Sequence, residues 1–108
     1  MFVVVNKYVL ARRFDGIVFW PFVFIKRSEL KGNPVFMNHE RIHLKQQLEL
    51  LVLPFFIWYF LEYLVRLIQY RNSYKAYNMI SFEREAYKHE KDLGYIRRRK
   101  FWGFWKYL

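Results

Sequence analysis

The feature that most limits the fold is a long apolar segment in the middle of the chain. Leu50 to Leu61 is a run of twelve residues without a charge, and only Glu62 and Arg66 interrupt the apolar sequence that continues to Tyr70. A helix needs about 20 apolar residues to cross a bilayer, so this run alone is too short. We expect a helix over residues 50–70 that lies at a membrane interface, packs in the core or, if Glu62 and Arg66 pair, spans the membrane.

The length and the absence of cysteine narrow the fold and the chemistry. A chain of 108 residues supports one domain with its own hydrophobic core. Because the sequence contains no cysteine, disulfides, thiolate nucleophiles and cysteine-based zinc sites are excluded. Histidine and carboxylate side chains remain as the strong metal ligands.

The composition combines a strong positive charge with many aromatic rings. Lys and Arg number 19 against 9 Asp and Glu, and 23% of the residues are aromatic. This pairing favours an anionic membrane surface as a partner. Nucleic acid is the less favoured partner, because the rings stand beside aliphatic runs rather than among Gly and Ser. The N-terminus lacks the features of a secretory signal, which predicts a membrane-associated protein on the cytoplasmic face.

Two apolar runs near the N-terminus predict strands. Residues 2–10 and 17–25 are rich in Val, Ile, Phe and Trp, and Asp15-Gly16 between them is a turn signal. We expect a hairpin of these two strands. Pro21 cannot donate to a ladder, so it makes the second strand an edge strand or breaks it.

From about Val35 the pattern becomes helical and stays so for most of the chain. The first helix is expected to bend or stop near Pro54, and residues 71–78 read as a polar connection. A third helix is expected from about Ile80 to Leu93. The predicted fold is α+β and mainly helical: a short N-terminal β-hairpin or small sheet followed by three to four helices, in a single domain over residues 1–108.

The C-terminal segment, residues 95–108, is basic and aromatic. It contains IRRRKFWGFWKYL, in which a cluster of cations precedes five aromatic residues. We expect a C-terminal helix that anchors the chain at a membrane interface. The alternative is a helix that packs its rings on the core and leaves its arginines in solvent.

The sequence NHERIHLKQQ, beginning at Asn38, contains the pattern H-E-x-x-H. On a helix, His39 and His43 share one face and are close enough to bind one zinc ion. Glu40 would lie beside the metal as a general base that activates water for attack on a carbonyl group. The residues therefore predict a zinc site on the first helix.

A third ligand is expected from the helix that follows the apolar segment. The candidates there are His89 and four carboxylates: Glu83, Glu85, Glu90 and Asp92. Glu83 is favoured because Ala86 shares its face and would let this helix approach the first one closely. Glu85 and His89 share another face and remain alternatives, as does salt bridging with the basic residues.

His39-Glu-Arg-Ile-His43, followed about forty residues later by Glu83-Arg-Glu-Ala86, resembles the gluzincin zinc peptidases. The form with Gln46 and Gln47 is most similar to small minimal gluzincins and to uncharacterised membrane-associated proteins of Bacteroidetes. The resemblance implies His39, His43 and Glu83 as zinc ligands and Glu40 as the catalytic base.

One position departs from that family pattern. The fourth residue after the ligand Glu, often an Asp that orients a histidine, is Tyr87. Tyr87 is instead a candidate donor to the developing oxyanion, a role shared with Tyr77. A strand around Val35 to Met37 or within residues 17–25 would pair with an extended substrate.

Two functions follow from these observations. The first is a zinc-dependent metallopeptidase at a membrane surface that hydrolyses a peptide or protein substrate. The alternative is a non-catalytic membrane-associated subunit whose zinc site is structural or vestigial and which packs against a larger membrane protein. Glu40 favours the enzyme, since a structural site needs ligands but no base.

Overall fold

The computed structural model describes residues 2–6 and 15–108, in which a small sheet precedes the helices. The predicted α+β class, mainly helical, is confirmed. The strands are β1 (Phe2–Val5), β2 (Gly16–Phe19) and β3 (Phe22–Ile25). The helices are α1 (Pro34–Leu50), α2 (Val52–Tyr70), α3 (Ser73–Asn78), α4 (Ser81–His89) and α5 (Tyr95–Arg98), with 3-10 helices at Ser28–Gly32 and Gly103–Tyr107.

β3 is the central strand of the sheet. β1 pairs with it in parallel and β2 pairs with it antiparallel. Trp20 and Pro21, joined by a cis peptide bond, form the turn between β2 and β3, so the predicted break at Pro21 is confirmed. The predicted hairpin of residues 2–10 with residues 17–25 is wrong, because β1 pairs in parallel with β3. Residues 7–10 of that prediction lie outside the described part of the chain.

Helix α1 carries the H-E-x-x-H sequence. Asn33 caps its start by accepting a hydrogen bond from the backbone N–H of Phe36, and Pro34 occupies the first turn, where its missing N–H costs nothing. The helix ends at Leu50, and Leu51 takes a φ of 63° that turns the chain into α2. The expected interruption therefore comes at Leu51, while Pro54 lies in the first turn of α2. The predicted strand around Val35 to Met37 is wrong, since these residues are helical.

Helix α2 is apolar on both sides. Its inner side packs on a core cluster through Phe55, Trp58 and Tyr59. Its outer side exposes a stripe at helical spacing: Leu53, Ile57, Phe60, Leu61, Leu64, Val65 and Ile68. By length and composition α2 is able to cross a membrane, a test that a core helix also passes, yet only 11% of its most apolar window is buried. Burial in the core therefore does not explain its hydrophobicity.

The segment after α2 differs from the prediction in detail. The expected connection over residues 71–78 contains helix α3, which Asn72 caps through the backbone N–H of Lys75. The third predicted helix is shorter than expected and covers α4 only. Glu62 of α2 accepts hydrogen bonds from the N–H and the hydroxyl of Ser81, so it binds the start of α4 rather than Arg66.

The C-terminal segment is not one helix, which corrects the prediction for residues 95–108. It consists of α5 and the second 3-10 helix, joined by extended and turn residues. Phe104 is fully buried against Phe82, whereas Phe101 and Trp105 are exposed. The segment therefore packs on the core through some of its rings and presents others to the outside. Its membrane contact stays a prediction.

Candidate metal centre

The predicted metal ligands of α1 and α4 face each other where these helices pack together. His39 and His43 lie one turn apart on α1, and their Nε2 atoms are 3.2 Å apart. Glu83 reaches across from α4, with its Oε1 3.3 Å from Nε2 of His39 and 3.1 Å from Nε2 of His43. All three side chains are buried. The structure therefore brings together the three candidate ligands in a group that could hold a metal ion.

The separations among these atoms suit a tetrahedral ion. With bonds of about 2.0–2.1 Å to nitrogen and oxygen, two ligand atoms of tetrahedral zinc lie about 3.3–3.4 Å apart. The three separations here are 3.1 to 3.3 Å. Two imidazoles and one carboxylate are also a donor set of catalytic zinc sites, which leave a fourth position open. The residues therefore fit zinc in both chemistry and geometry.

The alternative third ligands face away from this group. The carboxylate of Glu85 lies 2.6 Å from the Nε of Arg99 and points to the C-terminal segment. His89 stacks on the ring of Tyr95, and its Nε2 lies 2.8 Å from the hydroxyl of Tyr107. Geometry therefore favours Glu83 over Glu85 and His89.

A carboxylate supports His39 from behind. Nδ1 of His39 lies 2.8 Å from Oε2 of Glu90 at the end of α4. The chain reverses direction in the residues that follow α4. Asn38 fixes this reversal, because its side-chain amide donates to the carbonyl oxygens of His89, Glu90 and Asp92. Metal-bound histidines commonly donate their second ring N–H to such a carboxylate. Glu90, and not the residue at position 87, therefore supplies the carboxylate beside Nδ1 of His39.

The other two ligands also contact a supporting side chain. The hydroxyl of Tyr59, on α2, donates to Oε2 of Glu83 at 2.7 Å, which leaves Oε1 facing the histidines. Oε1 of Gln46 lies 2.8 Å from Nδ1 of His43. Such contacts fix the orientation of each candidate ligand.

The electrostatics of the group are those of a cation site. Burial lowers the pKa of His43, but the nearby carboxylate of Glu83 outweighs it, and the pKa rises to about 9. Burial raises the pKa of Glu83, but the two imidazoles more than compensate and hold it well below its usual range. Without a metal, an imidazolium therefore faces a carboxylate, and a metal cation would replace that proton.

Glu40 opens into a cleft of about 790 Å³ beside the ligands. Burial raises the pKa of this carboxyl, while His43 and His39 act against the rise. A raised pKa is what a general base needs to work near neutral pH. The cleft is lined by carboxylates and many rings: Asp15, Gly16, Phe36, His39, Glu40, Tyr59, Phe60, Tyr63, Ser73, Tyr74, Tyr77, Tyr87 and Glu90.

Both candidate oxyanion donors lie on this cleft. The hydroxyls of Tyr77 and Tyr87 are 3.3 Å apart, and the ring of Tyr87 contacts that of His39 edge-on, with centroids 4.4 Å apart. Burial raises the pKa of both phenols, so each keeps its proton and can donate it in a hydrogen bond. The structure places the pair at the site without choosing between them.

The sequence reasoning missed three supporting residues: Gln46, Tyr59 and Glu90. Gln46 carries a readable signal, since it follows His43 by three positions and so shares its helix face. The sequence offers Glu90 only as a ligand candidate, because its contact with His39 depends on the turn after α4 that Asn38 binds. Tyr59 lies on another helix, and no spacing within the sequence links it to Glu83.

Comparison of the chain with models of known protein families, with curated proteins and with solved structures gave no match. The functional interpretation therefore rests on the geometry and chemistry of the described residues.

Proposed function

We propose that the protein is a zinc-dependent peptide hydrolase that works at a membrane surface. The observation that carries the proposal is the buried group of His39, His43 and Glu83, with ligand atoms 3.1 to 3.3 Å apart. Glu40 follows the first ligand directly in sequence and lines the adjacent cleft. A purely structural zinc site would need neither this base nor an open cleft.

The roles of the side chains follow from their positions. Zinc held by the three ligands would act as a Lewis acid and lower the pKa of a coordinated water to about 7. Glu40 accepts the proton of the attacking water and passes it to the leaving amine. The hydroxyl of Tyr87 or Tyr77 donates a hydrogen bond to the carbonyl oxygen as it gains negative charge.

The edge of the sheet supports a peptide as the substrate. β2 is an outer strand, and Gln47 binds part of its edge by donating to the carbonyl of Val18 and accepting from the N–H of Trp20. Its first residue, Gly16, reaches the cleft, where an added Cβ would lie 3.4 Å from the Glu40 carboxyl. An extended peptide that pairs with β2 there would place a carbonyl group near this base.

The location at a membrane rests on helix α2. Its exposed stripe continues into a groove of about 620 Å³ that Pro54, Trp58 and the C-terminal Leu108 help to line. An exposed apolar surface of this extent is typical of a surface that contacts lipid or protein. The net charge of +10 favours an anionic bilayer as the partner.

The test of the hydrolase is a comparison of zinc content and peptide hydrolysis in matched variants. Glu40→Gln should keep zinc and lose turnover by about 10²- to 10⁴-fold, the usual contribution of a general base. His43→Ala should lose both zinc and turnover. His89→Asn, a histidine change away from the group, should retain both.

Three results would contradict the proposal. Unchanged turnover in Glu40→Gln would remove the assigned base, and absence of zinc from carefully purified wild type would remove the metal. Bound zinc with no hydrolysis across a broad peptide mixture would favour the non-catalytic subunit instead.

A further inference from the structure

A line of buried polar side chains connects His43 to the C-terminal segment. Nδ1 of His43 meets Oε1 of Gln46 at 2.8 Å, and Nε2 of Gln46 lies 2.9 Å from Oε1 of Glu85. Glu85 in turn binds Arg99 through two contacts, Nε to Oε2 at 2.6 Å and one terminal nitrogen to Oε1 at 3.0 Å. The side chain of Glu85 is fully buried, and that of Arg99 is 2% exposed. The proposed hydrolysis uses none of these three groups directly.

The contacts at one end of this line of side chains determine which group donates and which accepts in each hydrogen bond. The amide nitrogen of Gln46 lies 2.9 Å from the Glu85 carboxylate and 3.0 Å from the carbonyl oxygen of Phe82. A carboxylate and a carbonyl oxygen both only accept, so this end of the amide must be the NH₂. The carbonyl oxygen of Gln46 consequently faces His43, and Nδ1 of His43 must be the donor.

Donation by Nδ1 has a direct consequence for the other ring nitrogen. The ring that binds a metal is the neutral imidazole, which carries one proton, so with that proton at Nδ1 its Nε2 holds a free lone pair. Nε2 of His43 is the atom that faces Glu83 at 3.1 Å. If Gln46 were flipped, its NH₂ would face Nδ1 and favour the tautomer that is protonated at Nε2 and unable to bind metal there.

The ion pair of Glu85 and Arg99 makes a flip of the Gln46 amide costly. Glu85 accepts from Arg99 and from the hydroxyl of Tyr95, which lies 2.6 Å from Oε2, so only an amide NH₂ from Gln46 completes its hydrogen bonds. The backbone at Gly103 closes over this pair, where an added Cβ would lie 2.6 Å from Oε2 of Glu85. The C-terminal segment therefore supplies both the cation and the cover.

We propose that Gln46, Glu85 and Arg99 are positioning residues that hold His43 with Nδ1 protonated and Nε2 directed at the metal position. The C-terminal segment thus completes the metal site through hydrogen bonds, although none of its residues is a ligand. This inference rests on the zinc site of the proposed function and does not depend on the hydrolysis.

The experiment is a pair of changes that reverses and then restores the polarity. In Glu85→Gln, Arg99 binds the oxygen of the new amide at position 85. The NH₂ of this new amide then faces Gln46, so the amide of Gln46 turns over and directs its own NH₂ toward His43. In Gln46→Glu, two carboxylates face each other. Combining the changes returns an acceptor to Nδ1 of His43 and a donor to position 85. Zinc affinity is measured by chelator competition, and the protonated ring nitrogen of His43 by long-range ¹H–¹⁵N correlation spectra of the zinc-loaded protein.

We expect Glu85→Gln to lower zinc affinity about 10- to 100-fold, the usual effect of losing such a support, whereas Gln46→Glu keeps an acceptor at Nδ1 of His43 and should mainly lower thermal stability. The double change should restore most of this loss and the Nδ1 proton of His43. The control is Glu49→Gln, which removes another partner of Arg99, 2.6 Å from it, without touching Gln46. It should lower thermal stability yet leave the zinc affinity and the His43 proton unchanged, which separates positioning from general stabilisation.

The outcomes distinguish this inference from the hydrolase proposal. Wild-type affinity and an Nδ1 proton in Glu85→Gln, or a double variant whose losses simply add, would overturn the inference and leave the hydrolase intact. Restored affinity in a protein that cleaves no peptide would support the inference and overturn the hydrolase. A wild type that binds no zinc would overturn both.

Discussion

Glu90 shows how a single side chain outside the motif orients a candidate ligand histidine. Its carboxylate lies 2.8 Å from Nδ1 of His39, and Asn38 holds the chain that carries it. The same carboxylate also lines the cleft beside the candidate ligands. The two histidines thus have different supports, a charged one for His39 and a neutral amide for His43.

We expect Glu90→Ala to lower zinc affinity about 10- to 100-fold, because His39 loses the acceptor that fixes its ring. Chelator competition at one pH measures the change. Asp92→Asn is the matched control: this residue lies in the same reversal and pairs with Arg98, away from His39. Equal affinities of the two variants would show that Glu90 does not support the ligand.

The imidazolium of His43 gives the metal-free protein a characteristic pH dependence. Its folded pKa of about 9 lies above the ordinary value of 6.5, so it stabilises the fold fully below pH 6.5 and loses this effect as the pH rises through 9. In the presence of chelator, the free energy of unfolding should fall over this window by up to about 3 kcal/mol.

Urea unfolding at pH 6 and pH 9.5 measures this dependence. His43→Gln should lose the part of the pH dependence that comes from this residue. With saturating zinc the free energy of unfolding should instead rise with pH, because the ion competes better as the proton leaves His43. If the free energy of unfolding changed equally between the two pH values in the wild type and in His43→Gln, the assignment to His43 would be contradicted.

At the scale of elements, helix α2 is unusual because it is apolar on its exposed side as well as on its packed side. One side packs on the core that contains Phe82 and Phe104, and the other exposes a full apolar stripe. The sequence predicts a helix at a membrane interface, in the core or across a membrane, and the structure shows one side packed on the core and the other side exposed. Apolarity alone could not separate them, because both sides of α2 lack the polar residues that mark a solvent face.

Replacing one residue of that stripe tests whether it contacts lipid. Leu61→Lys should weaken binding to vesicles of phosphatidylcholine and phosphatidylglycerol, because burying a lysine in the bilayer is costly. Leu61 is 55% exposed, so the stability in solution should change little. Flotation with vesicles measures the binding.

The control is Leu93→Lys, the same change at a leucine that is 54% exposed and outside α2. Equal flotation of the two variants would show that the stripe is not the lipid contact. Point variants keep the buried Phe104 and the ion pair of Arg99 intact.

At the scale of the whole molecule, local features were predictable and long-range pairings were not. The pattern of His39, Glu40 and His43 is local, and one helix turn determines its geometry. The spacing of Glu83 to Ala86, which favours Glu83 as the third ligand, is also local. The parallel pairing of β1 with β3 and the docking of Arg99 under α4 depend on contacts distant in sequence, for which composition and periodicity carry no signal.

Leu51, the residue between α1 and α2, affects both the stability of the fold and the proposed binding to a membrane. A φ of 63° favours glycine, and a leucine there costs of order 1–3 kcal/mol, yet its side chain is 69% exposed beside the outer stripe of α2. Leu51→Gly should therefore raise the free energy of unfolding in solution and weaken vesicle flotation. A gain in stability without loss of flotation would exclude Leu51 from the lipid contact. At this joint between α1 and the apolar helix α2, the chain is less stable in water than a glycine would make it, and contact of the exposed Leu51 with a bilayer would offset the difference.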